Sequence, residues 1–162
     1  MGSEALQANN DTFHFTNCSP QHADFNQSSE TWLGIENHLL GMATGQRQQL
    51  TVFTGPVMTD EDPLYRGVRL PRHFWKIAAY LGGDDSLTVS AYLLGQEGLL
   101  DGLERFNPGT WQVPVAEIIE RTGLDFSPLL AAAVALDRGP GLEAAGQGGR
   151  RRLDSVNDIV AI

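Results

Sequence analysis

Apolar and polar residues alternate from Asp11 to Thr16, with Phe13 and Phe15 on one side and Thr12, His14 and Thr16 on the other. A period of two predicts a short strand there. The period then changes. Trp32, Ile35, Leu39 and Leu40 recur at helical intervals and predict a helix from Asn26 to about Leu40, capped by Asn26 or a neighbouring serine and closed by Gly41. QQLTVFTGPV (48–57) and FWKIAAYL (74–81) read as largely buried strands. LTVSAYLL (87–94) follows the second across the turn-forming cluster GGDDS, so these two should pair as a hairpin. VAEIIERTG (115–123) and SPLLAAAVAL (127–136) read as helices, the first ending at Gly123 and the second carrying proline in its first turn. The pattern is mixed α and β, without internal repeats.

Beyond residue 136 the character shifts. DRGPGLEAAGQGG (137–149) is glycine-rich and poor in large apolar groups, and reads as a linker or loop before a C-terminal tail, 150–162. That leaves residues 1–136 as one domain, a length consistent with a single core.

Composition narrows the chemistry. With 11 Lys plus Arg against 20 Asp plus Glu, the net charge of −9 argues against binding a polyanion over a broad surface, so any phosphate contact must be local. One cysteine, Cys18, excludes an internal disulfide framework and a cysteine-based zinc site. The start, MGSEALQANND, has neither the basic region nor the apolar run of a signal peptide. Nowhere do about 18 apolar residues run together, so no membrane span is expected, and the compartment stays unassigned.

Asn26, placed at a helix start, could offer its amide oxygen to a hard divalent cation. A neutral ligand leaves the ion's charge available to a substrate phosphate. Glu36 lies four residues after Trp32 on the same face, where it could hold a metal-bound water. The plainer readings are a helix cap for Asn26, a solvated glutamate for Glu36 and a turn residue for Asn17.

The segment TFHFTNCSPQHADFNQSSETWLGIENHLL resembles the second half of the active-site motif of the DNA/RNA non-specific endonucleases, the ββα-metal family. The matching positions are Thr16-Asn17, Pro20-Gln21, Phe25-Asn26-Gln27, Trp32 and Glu36, although SSET lengthens the approach to Trp32. The likeness continues in VFTGPVM (52–58), YRGVRLPRHFWKI (65–77), AYLLGQ (91–96) and TGLDF (122–126). It implies an α+β fold in which an antiparallel sheet is flanked by helices, incomplete at its N-terminus. It also implies Mg²⁺, or Mn²⁺, held directly by Asn26 and through water by Glu36, with Asn17 and Gln21 in the surrounding polar network. The implied activity is metal-dependent, sequence-indifferent hydrolysis of DNA and RNA, reached through phosphate contacts.

One family signature is missing. Asp-Arg-Gly-His, which supplies the general-base histidine, belongs upstream of Asn17 and occurs nowhere in the chain; DRG at 137–139 and RGV at 66–68 lack the histidine. Impaired catalysis is therefore expected, and the competing reading is a non-catalytic nuclease-like remnant or interaction module. A shortened chain, a misassigned start, a gene remnant and a polypeptide completed by a separate N-terminal segment would all look alike; an inhibitor protein is a further conceivable partner. His14, His22, His38 and His73 read as surface or packing residues, Cys18 as a small buried residue beside the site, and Lys76 as a structural lysine pointing off the sheet. Arg66, Arg69, Arg72 and Arg150–Arg152 are the cations available to phosphate, though such charges are more often solvated.

Overall fold

Alternation along FWKIAAYL sends Phe74, Lys76, Ala78 and Tyr80 to one face of a strand and Trp75, Ile77 and Ala79 to the other, and the fold is built outward from that strand. In the computed structural model the described residues are 2–12, 18–27, 32–45, 49–81, 86–100, 109–133, 149–154 and 158–159. They form the helices α1 (Ser3–Asp11), α2 (Ala23–Gln27), α3 (Trp32–Gly45), α4 (Glu97–Leu100) and α5 (Val115–Thr122). The strands are β1 (Leu50–Val57), β2 (Leu64–Tyr65), β3 (Val68–Arg69), β4 (His73–Leu81), β5 (Leu87–Gly95), β6 (Thr110–Val113) and β7 (Arg151–Leu153). Five strands make an antiparallel sheet in the order β1-β4-β5-β6-β7. The α+β class and the antiparallel sheet are as expected. The β4–β5 hairpin also forms, from His73 opposite Gly95 to Leu81 opposite Leu87.

Each face of the sheet carries its own apolar layer. On one, Phe74, Ala78, Tyr92 and Leu94 pack against Phe25 of α2 and Trp32, Ile35 and Leu39 of α3, and Leu153 and Ile159 join them. On the other, Trp75, Ile77, Val89, Ala91 and Leu93 meet Val115 and Ile118 of α5, with Leu129 from a 3-10 segment, Ser127–Ala132, and Phe126 just before it. α5 ends where expected. Gly123 takes a left-handed φ of 69° and donates its N–H to the Ile119 carbonyl.

β1, expected to be largely buried, is exposed from Thr51 to Thr54, and three further sequence expectations need correction. Residues 3–11 are helical and Thr12 continues in helical conformation, so no strand begins at Asp11; residues 13–17 lie outside the described set. The predicted helix from Asn26 to Leu40 is two helices, α2 and α3, separated by residues 28–31, which are outside the described set. Across them the Phe25 and Trp32 rings meet at 5.6 Å and both reach Phe74 at 5.5 Å. Nor does Gly41 stop α3, which runs on to Gly45 because Met42 still packs on the core. The third correction shortens SPLLAAAVAL to its 3-10 part, with Ala133 already extended; residues 134–136 lie outside the described set.

Residues 151–153 are not loose chain. β7 pairs with β6, Thr110 opposite Leu153, and Arg150 places Nε 2.8 Å from Oε2 of Glu117. Arg121 reaches Oε1 of the same carboxylate at 2.8 Å, so two guanidiniums flank one partly buried acid. The linker segment 137–148 lies outside the described residues.

Candidate metal centre

The segment before α2 is anchored from below by one side chain. Gln96, at 0% exposure, follows the last residue of β5, and its Oε1 accepts the His22 N–H at 2.8 Å. Its Nε2 donates to the Pro71 carbonyl at 2.6 Å and reaches the Pro20 carbonyl at 3.4 Å. Its own backbone N–H donates to the Arg72 carbonyl at 2.8 Å. A primary amide has one acceptor and two donor hydrogens, so this side chain suits a junction of three chain segments. The Pro20-Gln21-His22 run is thereby fixed to the sheet, with Gln21 half-buried within it. Cys18, expected to be buried, is exposed on the surface ahead of this run.

His22 then starts α2. Its carbonyl accepts the Asn26 N–H at 3.0 Å, and its Nδ1 accepts the Asp24 N–H at 3.2 Å. Asn26 is therefore the fourth residue of a short helix and not its cap. Its neighbour Phe25 is buried against Trp32 and Phe74, while Asn26 itself is exposed. No hydrogen bond to its side chain is found among the described residues.

α3 buries Trp32 and leaves Glu36, one turn further along the same face, half-exposed. Lys76, in the middle of β4, rises from the sheet beneath them at 3% exposure. Its Nζ lies 3.5 Å from the centroid of the Trp32 ring and 3.1 Å from Oε1 of Glu36. Burial pushes the Lys76 amine below its ordinary value, and the hydrogen bond and charge of Glu36 pull the other way. Glu36 keeps 46% of its side chain exposed, and no bond to Oε2 is found among the described residues. Lys76 does point off the sheet, but into a stack of aromatic ring, ammonium and carboxylate.

α2 and α3 thus seat Asn26 and Glu36 above the same Phe25–Trp32–Phe74 cluster. Asn17 and His14 lie outside the described residues. His38 is half-buried on α3, and burial lowers its pKa. His73 begins β4 opposite Gly95. Among the described residues no three of His, Cys, Asp and Glu converge as a metal cage. The donor chemistry still fits a hard divalent ion, which takes amide and carboxylate oxygens and keeps waters of its own.

Among the described residues the arginines are mostly occupied. Arg69 binds Asp60 and the Thr59 and Asp60 carbonyls; Arg150 binds Glu117 and Arg152 binds Asp154. Arg66, at φ 51°, lies 5.3 Å over the exposed Tyr65 ring in the two-residue turn joining β2 to β3. Sequence reasoning gave no role to Gln96 or to the Lys76–Glu36 contact. The only signals were a polar residue closing an apolar strand and a lysine interrupting another.

A family model described as DNA/RNA non-specific endonuclease matches residues 2–133. The chain is also 39% identical, over 165 aligned residues, to a protein of Sinorhizobium fredii (strain NBRC 101917 / NGR234) described as uncharacterized protein y4fB. That alignment covers 96% of this chain and 24% of the relative, so the chain spans about a quarter of that protein's length.

Proposed function

The chain belongs to the DNA/RNA non-specific endonuclease family, and from that premise we propose that it carries the metal-holding part of a site for hydrolysing phosphodiester bonds of DNA and RNA. What supports this reading is a pair of oxygens, one on Asn26 and one on Glu36, that no hydrogen bond among the described residues engages, borne by two helices packed on a common aromatic cluster. Asn26 would hold Mg²⁺ or Mn²⁺ directly, and Glu36 would orient one of its waters. The bound ion would stabilise charge on the phosphoryl oxygens and the departing 3′ oxygen. Asn17 and Gln21 would complete the polar surroundings. Contacts confined to phosphate and sugar make the reaction indifferent to sequence.

Catalysis by this chain alone is proposed to be weak. The 162 residues contain no Asp-Arg-Gly-His, and a general base contributes about 10² to 10⁴ in rate. Titration calorimetry with Mn²⁺ tests the metal assignment. Asn26→Ala should abolish binding without changing the melt, since the side chain is exposed; equal affinities would sink it. Fusing an upstream Asp-Arg-Gly-His strand should then give Mg²⁺-dependent plasmid nicking that Asn26→Ala removes. The missing base also favours a second reading, a non-catalytic nuclease-like module, and a fused chain that binds Mn²⁺ but stays inert would establish it.

A further inference from the structure

The chain holds ten arginines among its 11 basic residues and a single lysine, Lys76. That lysine is the most buried placement a cation could have here, between Phe74 and Ala78 on the apolar face that receives α3. Tyr92 of β5 and Thr54 of β1 are its cross-strand neighbours. Desolvating an ammonium is expensive, and a well-packed apolar side chain at such a site is often neutral or stabilising by comparison. Stitching α3 to the sheet does not require a charge, because Trp32, Ile35 and Leu39 already do so. The ammonium achieves something that packing does not: it fixes one oxygen of a carboxylate that is otherwise half in water.

We infer that Lys76 is a positioning residue, its ammonium seated on the Trp32 ring and bound to Oε1 of Glu36 so that Oε2 is presented toward a metal-bound water. The inference rests on the role proposed above for Glu36. An exposed glutamate samples several rotamers, and holding it in one removes an entropic loss that would otherwise accompany each binding event. Lysine suits this place because the ammonium can lie on the indole face and still direct a hydrogen at the carboxylate. Trp32 and Glu36 are four residues apart and so share a face of α3, which lets one cation from the sheet contact both.

Being the sole lysine makes the test direct. Mn²⁺ binding should be measured by calorimetry on the full chain and on Lys76→Met, Lys76→Gln, Lys76→Arg, Glu36→Gln and the double variant Lys76→Met/Glu36→Gln. In addition, lysine labelled with ¹⁵N gives one side-chain ammonium signal to follow. Lys76→Met should fold, because Glu36 is half-exposed and is not stranded by the loss of its partner; Lys76→Gln carries the same expectation should it not. Removal of the ammonium should weaken Mn²⁺ affinity by about tenfold to a hundredfold, the range for outer partners of metal ligands. Lys76→Arg should recover part of the loss. In the Glu36→Gln background the Lys76→Met change should bring no further loss, and Mn²⁺ should broaden the lysine signal in the wild type but not in Asn26→Ala. Wild-type affinity in both Lys76→Met and Lys76→Gln, with binding abolished in Asn26→Ala, overturns this inference and leaves the metal assignment standing. Losses at positions 36 and 76 that simply add overturn it as well, since they would report general packing. A wild-type chain that binds no Mn²⁺ overturns the metal assignment and this inference together.

Discussion

Gln96 shows how much one side chain can determine. It is wholly buried, yet each polar atom of its amide is used, and its partners sit 74, 76 and 25 residues away. Truncation to alanine would leave the His22 N–H and the Pro71 carbonyl without their partner, a penalty of about 1–3 kcal/mol for each buried group left unsatisfied. Gln96→Ala should therefore lower the urea midpoint markedly and speed hydrogen exchange at the His22 amide; an unchanged His22 exchange rate would show that the Pro20–His22 run holds itself. No sequence pattern could have revealed this role, because all three partners are backbone groups brought close only by the completed sheet. Lys76 was partly legible, since a cation in FWKIAAYL has to find a partner, but the identity of that partner depends on where α3 lands. Tyr92 supplies a pH test. Burial pushes its phenol up to about 12 from an ordinary value near 10. The unfolded chain thus ionises first, and stability present below pH 10 is lost as pH rises from 10 toward 12. At the upper end this amounts to about 3 kcal/mol. Tyr92→Phe should flatten that alkaline decline in a pH series of denaturant melts, and an unaltered slope would remove Tyr92 as its source.

At the level of elements, the β4–β5 hairpin and the end of α5 were readable because their determinants are local: alternation on both sides of GGDDS, and a glycine able to take positive φ. The division into α2 and α3 was not. The apolar positions Phe25, Trp32, Ile35 and Leu39 keep helical spacing through the whole segment, so spacing alone could not mark where α2 ends and α3 begins, and what the two share is their aromatic contact on Phe74. Those contacts predict a coupling between elements. Phe25→Ala should cost about 3–5 kcal/mol, as large aromatic truncations in cores do, and should release α2 from the sheet. Mn²⁺ affinity should fall with it even though no ligand has been altered. Phe25→Leu, which keeps most of the apolar volume, should restore stability more fully than affinity if the ring contacts orient α2; equal recovery of both would show that volume alone matters.

At the scale of the whole molecule, among the described residues β1 stands at the end of the sheet order and bonds to β4 on one side. Its residues Leu50–Val57 carry no charge, and Val52 and Phe53 are 41% and 40% exposed. Uncharged edges of this kind recruit other strands. Light scattering should detect concentration-dependent association that Val52→Lys suppresses, whereas a monomer at every concentration would count against an open edge. The opposite end of the sheet has a different consequence. The family match stops at residue 133, but Leu153 and Ile159 lie in the same apolar layer as Trp32 and Ile35, and Arg150 is bound to Glu117. The linear extent of the family resemblance and the physical extent of the folded unit therefore do not coincide. A chain trimmed after Ala133 would lose part of the floor beneath the helix bearing Glu36. Supplied separately, a peptide of residues 149–162 should dock back onto the trimmed chain and raise its melting temperature, a split-protein complementation that Glu117→Gln should weaken and Leu153→Asp abolish.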